Sequence, residues 1–193
     1  MSRNSTNSIL LVGVGGQGTI LASKVLSEGL MKMGYDVKMS EIHGMSQRGG
    51  SVTTHVRYGE KVYSPVISEG EADILVAFEK LEAARWLSYL KEGGTLVVND
   101  YEIYPVPVLL GKDSYPEGLD EMFRRKVRDL KIFDAGKVAQ ELGNVKAQNV
   151  VLLGALIRSM GLDTIDWSQV LADVVPPRFL ELNVKALKAG MEL

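Results

Sequence analysis

The chain has no cysteine among its 193 residues. Disulfides, thiol nucleophiles and thiolate-held iron–sulfur clusters are therefore chemistries it cannot supply by itself. Histidine is almost as scarce, with two in the chain. His43 with Glu41 offers two metal ligands but no third at a recognisable spacing, and His43 beside Ser46 offers a base and a hydroxyl with nothing to complete the set. No metal site is expected, and no catalytic residue can be named.

Two further absences narrow the partners. The longest apolar stretches, such as Val150 to Ile157, fall far short of the roughly 18 residues that a membrane-spanning helix needs, so no membrane insertion is expected. Lys and Arg number 22 against 24 Asp and Glu, a net charge of −2, with no block of one sign that would neutralise nucleic-acid phosphates. The polar start, Met1 to Ser8, lacks the charged-then-apolar layout of a secretory signal, which points to the cytoplasm. No low-complexity linker divides residues 1–193, and 46% apolar with 24% charged residues is the mix of one ordinary globular domain.

What is present begins with Ile9-Leu10-Leu11-Val12, a continuous apolar run ending in glycines, the pattern of a strand buried on both faces of a parallel sheet. Behind it, Ile20, Leu21, Val25, Leu26 and Leu30 recur at helical spacing, with Gly34 placed to end the helix. Asp36 to Ile42 predicts a second strand. Ser51 to Tyr58 and Lys61 to Ile67, separated by Gly59-Glu60, predict an inserted antiparallel hairpin. Strand and helix then alternate again. Asp73 to Phe78 and Thr95 to Val98 are strands around a helix from about Leu81 to Leu90. Leu119 to Leu130 is an exposed helix, and Ile132-Phe133 a short strand before Gly136 to Leu142. The last third reads as helices over Ala147 to Met160, Trp167 to Val175 and Arg178 to Met191, where Pro176-Pro177 forces a break. The fold class expected is α/β: a Rossmann-like, mostly parallel sheet with helices on both faces, an inserted hairpin and a helical C-terminal third.

The sharpest chemical signal is the turn Gly13-Val14-Gly15-Gly16-Gln17-Gly18, between a strand and a helix. Glycines there permit a tight bend, close approach of a ligand to the backbone and close helix–strand packing, and the open N–H groups at the helix start favour an anion. Glu41 lies 23 residues beyond Gly18, where an acid that binds a ribose would sit. The alternative is that the same glycines make a tight turn and nothing more; the flanking strand and helix favour the binding role. A second signal is the loop Met45-Ser46-Gln47-Arg48-Gly49-Gly50-Ser51-Val52. Arg48 offers a bidentate grip on a phosphate or carboxylate, or a local ion pair or subunit contact. His55 reads as a plain strand residue, and Asn149 and Asn183 as buried amides that need partners.

With that loop, the glycine turn, Tyr63-Ser64-Pro65 and Glu69-Gly70-Glu71-Ala72-Asp73 in view, the chain resembles the gamma-type subunits of 2-oxoacid:ferredoxin oxidoreductases, most closely the beta subunit of the indolepyruvate enzymes. The resemblance runs through Asn149 to Gly154 and on to Phe179, Asn183, Leu187 and Gly190. It implies a subunit, inactive alone, of a complex that turns a 2-oxoacid and coenzyme A into an acyl-CoA and carbon dioxide while ferredoxin takes the electrons. It also implies a larger alpha-type partner carrying thiamine diphosphate and the iron–sulfur clusters, which fits the missing cysteines and the lack of a Gly-Asp-Gly thiamine pattern here. Coenzyme A is the co-substrate implied for this chain. Gly13, Gly15, Gly16, Gln17, Gly18, Glu41, Arg48, Gly49 and Ser51 are the expected binding residues. Two alternatives are a free-standing NAD(P)-binding oxidoreductase, which the glycine turn and Glu41 favour, and a non-catalytic interaction subunit.

Overall fold

In a computed structural model, which describes residues 6–43, 50–163 and 165–193, the first apolar run becomes strand β1, Asn7–Val14. Its side chains alternate between two cores. Ile9 and Leu11 join one buried cluster and Leu10 and Val12 the other, as a strand covered on both faces requires. Strands β4, Ala72–Ala77, and β5, Leu90–Asn99, divide in the same way. Ile74, Val76 and Val97 face the first cluster, while Leu75, Ala77, Leu96 and Val98 face the second.

The remaining elements follow in chain order. Helix α1, Thr19–Lys32, leads to strands β2, Asp36–His43, and β3, Ser51–Gly59. After β4 come α2, Lys80–Trp86, and a single 3-10 turn at Leu87–Tyr89. Beyond β5 lie α3, Val106–Leu109, α4, Leu119–Lys126, and β6, Asp129–Phe133. The chain ends with α5, Ala135–Glu141, α6, Gln148–Ser159, α7, Trp167–Val174, and α8, Pro177–Met191. Among the described residues the strands form one six-stranded sheet in the order β2-β3-β1-β4-β5-β6. β1, β4, β5 and β6 run parallel, and β3 runs antiparallel to both β1 and β2.

The antiparallel hairpin is thus β2 with β3 and not Ser51–Tyr58 with Lys61–Ile67. β3 already has β1 on one side and β2 on the other, so no edge remains for residues 61–67, and Pro65 has no N–H to give a ladder. That segment instead crosses the face of the sheet as a strap. The Asp36 carboxylate accepts from Val62 N–H at 2.9 Å, His55 Nδ1 accepts from Ile67 N–H at 3.1 Å, and Arg57 donates to the Val66 carbonyl at 3.1 Å.

The expected helix over Leu119 to Leu130 is also divided. α4 ends at Lys126, Val127 turns extended, and Asp129 begins β6 at the free edge of β5. The helix is anchored where an exposed one was expected, because Phe123 is completely buried in the second core.

One core histidine makes the strap sensitive to acid. Burial pushes the His55 imidazole below its ordinary range, and acceptance at Nδ1 leaves the neutral ring's proton on Nε2. The folded state then binds fewer protons than the unfolded chain below about pH 6.5, so stability falls on acidification through that window. Glu82 works in the opposite sense: burial raises its carboxyl, and its contribution is present at low pH and lost as pH rises. The melting temperature of wild type is expected to drop between pH 7.5 and 5.5, with a slope bounded at about 1.4 kcal/mol per pH unit. His55→Gln should flatten that drop, and an equal drop in both proteins would acquit His55.

Candidate functional site

The glycine turn lies at the C-terminal end of β1, the end at which open α/β sheets build their sites. Its shape is set from within. Gln17 N–H closes on the Val14 carbonyl at 3.2 Å, and Gly16 and Gly18 adopt φ of +101° and +81°, a region that side chains other than glycine rarely enter. The Gln17 side chain accepts from Val14 N–H at 2.7 Å and donates to the Phe78 carbonyl at 2.8 Å. It therefore ties the turn to the end of β4, leaving its amide engaged with backbone. Asn99 reinforces the tie from the end of β5, donating to the same Phe78 carbonyl at 3.2 Å and accepting from Ala135 N–H at 2.9 Å. Gly13 is needed for packing, since a Cβ there would stand 2.9 Å from both Phe78 Cβ and Gln17 Oε1.

Gly18 caps α1 without any side-chain cap, and the first turn carries no acidic residue. The first N–H groups of a helix have no partner inside it, and the aligned peptide dipoles make that end positive. A cleft of about 420 Å³ opens there, lined by Gly15, Gly16, Gly18, Thr19, Ile20, Glu41 and Val52. A larger hollow of about 590 Å³, beside Lys91 and Arg128, opens at the other end of the sheet, where β5 begins. Position in the fold favours the smaller one.

The cleft brings Gly15, Gly16, Gly18 and Glu41 together. Ser51 goes elsewhere: paired with Val14 in the ladder, it turns to the opposite face of the sheet and donates to Glu82 at 2.5 Å. Glu82 is also held by Arg85 at 2.8 Å. Arg48 and Gly49 lie outside the described residues, as does Ser46. Asn149 and Asn183 are buried and partnered, Asn149 donating to the Gly18 carbonyl at 3.2 Å and Asn183 to that of Phe179 at 2.7 Å. Of the loop Met45 to Val52, Val52 reaches the cleft wall, whereas Asn99, which braces the turn, carries no signal in the sequence.

A second polar network stands at the same end of the sheet. Buried Glu79 accepts from Tyr115 at 2.5 Å, from Ile103 N–H at 3.2 Å and from Glu82 N–H at 2.8 Å. Lys80 reaches Asp100 at 2.5 Å and Asp120 at 3.2 Å. Burial presses its ammonium downward, but the two carboxylates outweigh that and hold it above its usual value. With these bonds satisfied internally, the network fixes the loops that carry Tyr101 to Tyr115. Among the described residues no group of three metal-ligating side chains occurs, and no helix is long and apolar enough to cross a membrane.

The family model described as pyruvate ferredoxin/flavodoxin oxidoreductase matches residues 8–193. The chain is 41% identical to the indolepyruvate oxidoreductase subunit IorB of Thermococcus kodakarensis, with 96% of this chain and 94% of the relative covered. It is 28% identical to the pyruvate/ketoisovalerate oxidoreductases common subunit gamma of Pyrococcus abyssi, covering 93% and 92%. Among solved structures, the gamma subunit of a keto/oxoacid ferredoxin oxidoreductase from Geobacter sulfurreducens matches with a TM-score of 0.74 at 25% identity, over 97% of this chain and 95% of that one. The fold also recurs in a 2-oxoglutarate:ferredoxin oxidoreductase from Magnetococcus marinus, solved with 2-oxoglutarate, coenzyme A and succinyl-CoA bound. There the TM-score is 0.71 at 20% identity, and this chain covers 31% of that longer one. At that identity the likeness shows the fold alone.

Proposed function

The chain belongs to the pyruvate ferredoxin/flavodoxin oxidoreductase family and is an IorB-like subunit of a 2-oxoacid:ferredoxin oxidoreductase, and on that premise we propose that it serves coenzyme A and holds the complex together. The reaction is the oxidative decarboxylation of a 2-oxoacid, an aryl pyruvate such as indolepyruvate, to an acyl-CoA and carbon dioxide with reduction of ferredoxin. With no cysteine, this chain cannot ligate an iron–sulfur cluster through thiolates. Clusters therefore belong to a larger partner, thiamine diphosphate is assigned to the same partner because this chain lacks a Gly-Asp-Gly thiamine pattern, and on this reading the isolated chain is inactive.

The observation that carries the coenzyme A reading is the uncapped N-terminus of α1 opening into the cleft. Backbone N–H groups and the helix dipole there suit a diphosphate.

The assembly reading rests on a different surface. Tyr101, Tyr104, Val106, Leu109 and Leu110 follow one another after β5, and all are exposed, Leu109 by 68%. So many apolar residues left in water over one short segment mark a surface built to be covered by another chain.

The test is co-expression with the larger subunit. Wild type is expected to co-purify with it and to confer binding of coenzyme A. Leu109→Asp with Leu110→Asp should cut co-purification at least tenfold while the chain alone melts as before. Unimpaired co-purification would overturn the assembly role. A wild-type complex whose affinity for coenzyme A does not depend on this chain would overturn the other.

A further inference from the structure

The larger hollow, about 590 Å³ at the start of β5, collects its charge from separate elements. Arg85 comes from the last turn of α2, Lys91 from the first residues of β5, and Lys126 and Arg128 from either side of the point where α4 stops. Among the described residues Glu92 is the one carboxylate in the lining. Arg85 is held by Glu82 at 2.8 Å, and Lys91 by Asp73. Lys126 and Arg128 are exposed, and neither side chain has a hydrogen-bond or ion-pair partner among the described residues. The same holds for Arg124 and Arg125 in the last turn of α4. Four unpaired cations thus stand within five consecutive residues of a chain whose net charge is −2.

Cations suit the C-terminal end of a helix, which accounts for part of that last turn. It accounts neither for Arg128, which follows the helix, nor for the arrival of Arg85 and Lys91 at the same hollow. Val127, buried between Lys126 and Arg128, fixes the backbone that presents them. Like charges crowded in this way repel one another, so the group that relieves them is anionic. An open hollow whose charges are spread around apolar Leu87 and Leu90 suits carboxylates on the surface of another protein. The kind of contact follows from the same charges. Charged side chains are depleted from the cores of lasting interfaces, whereas they steer a partner that must arrive and leave quickly. The lasting contact has its own surface, the apolar run from Tyr101 to Leu110 beyond the far end of β5, and a subunit seated there need not cover the hollow. A complex that gives electrons to a protein carrier needs a reversible contact of the second kind, and such encounters are among the smallest protein interfaces.

We propose that the basic hollow at the start of β5 is a docking face for ferredoxin, which meets it with an acidic surface. The assignment rests on the reading of this chain as a subunit of a ferredoxin-reducing complex and is independent of the coenzyme A cleft. The hollow holds the carrier, and electrons reach it from the larger partner.

The co-expressed complex, turning over indolepyruvate with either ferredoxin or methyl viologen, tests it. Lys126→Glu with Arg128→Glu is expected to raise the KM for ferredoxin about tenfold or more, the scale of electrostatic steering, with kcat near wild type. Methyl viologen, too small to need a docking face, should be reduced at the wild-type rate. The charge-reversed chain should also co-purify with the larger subunit and melt as before. Raising salt from about 50 to 300 mM should raise the KM for ferredoxin in wild type and much less in the variant, because exposed charges are then screened. Lys126→Arg with Arg128→Lys should keep wild-type kinetics. An unchanged KM for ferredoxin in the charge-reversed complex would overturn the proposal. Loss of viologen turnover or of co-purification would also overturn it, by placing the hollow against the larger subunit. The underlying reading fails differently: a wild-type complex that reduces viologen and not ferredoxin removes the ferredoxin reaction itself, and the docking face with it.

Discussion

Gly190→Leu is expected to destabilise the chain by about 3–5 kcal/mol, lowering the melting temperature by roughly 6–20 °C. A Cβ at Gly190 would be driven into the Val151 carbonyl and would stand 3.1 Å from the Cα of Gly154. Gly154 meets the reciprocal obstacle, with the backbone of Gly190 and Met191 each 2.9 Å from its would-be Cβ. These are main-chain atoms of a facing helix, so no side chain can swing aside. Nor can α6 retreat, because every residue from Asn149 to Ile157 is buried. The two helices must separate, opening the largest core of the molecule. Lys188→Leu, at an exposed position of the same helix, is the control and should melt within about 2 °C of wild type. A Gly190→Leu protein that melts beside that control would show that the crossing is not as close as described.

Gly18→Val combines two costs at the proposed coenzyme A cleft. At φ +81° a β-branched residue is an outlier, and the left-handed region costs an ordinary side chain about 1–2 kcal/mol. The new Cβ would also stand 3.0 Å from Asn149 Cγ, so the amide that donates to the Gly18 carbonyl must leave its place. Stranding a buried amide adds about 1–3 kcal/mol. A total loss of about 2–5 kcal/mol should appear together with loss of coenzyme A binding, since the first turn of α1 is what moves. Chemical denaturation in an Asn149→Ala background separates the two causes: the increment from Gly18→Val should shrink there to the backbone cost alone. An undiminished increment would assign the whole effect to φ.

These glycines show how far the sequence could be read. The tight turn at Gly13 to Gly18, the αL ending at Gly34 and the two-faced burial of Ile9 to Val12 are local matters, and each follows from residue type and spacing. Fates that depend on what lies alongside could not be read that way. Residues 61–67 have strand-like composition, but whether they pair depends on β3 having a free side, and both sides are taken. Ser51 sits in the same motif as the cleft residues, yet one step along a strand sends it to Glu82 on the other face. Gln17 stands inside the glycine turn and reads as a ligand-facing amide. Its real partners, Val14 and Phe78, include a residue 61 positions away. Glu41 was placed by its distance from the turn, although the strand that intervenes between it and β1 comes later in the chain.

The same threading of β3 between β1 and β2 governs the order in which the protein can be made. A strand–helix–strand unit ordinarily closes when its two parallel strands meet. Here β1 and β2 never meet, and the ladder that joins them is supplied by residues 51–59. The first 43 residues, with both strands and the whole of α1 present, have no sheet to form among themselves. A nascent chain gains this half of its structure in one step, when β3 arrives, and the wall that carries Glu41 is completed in that same step.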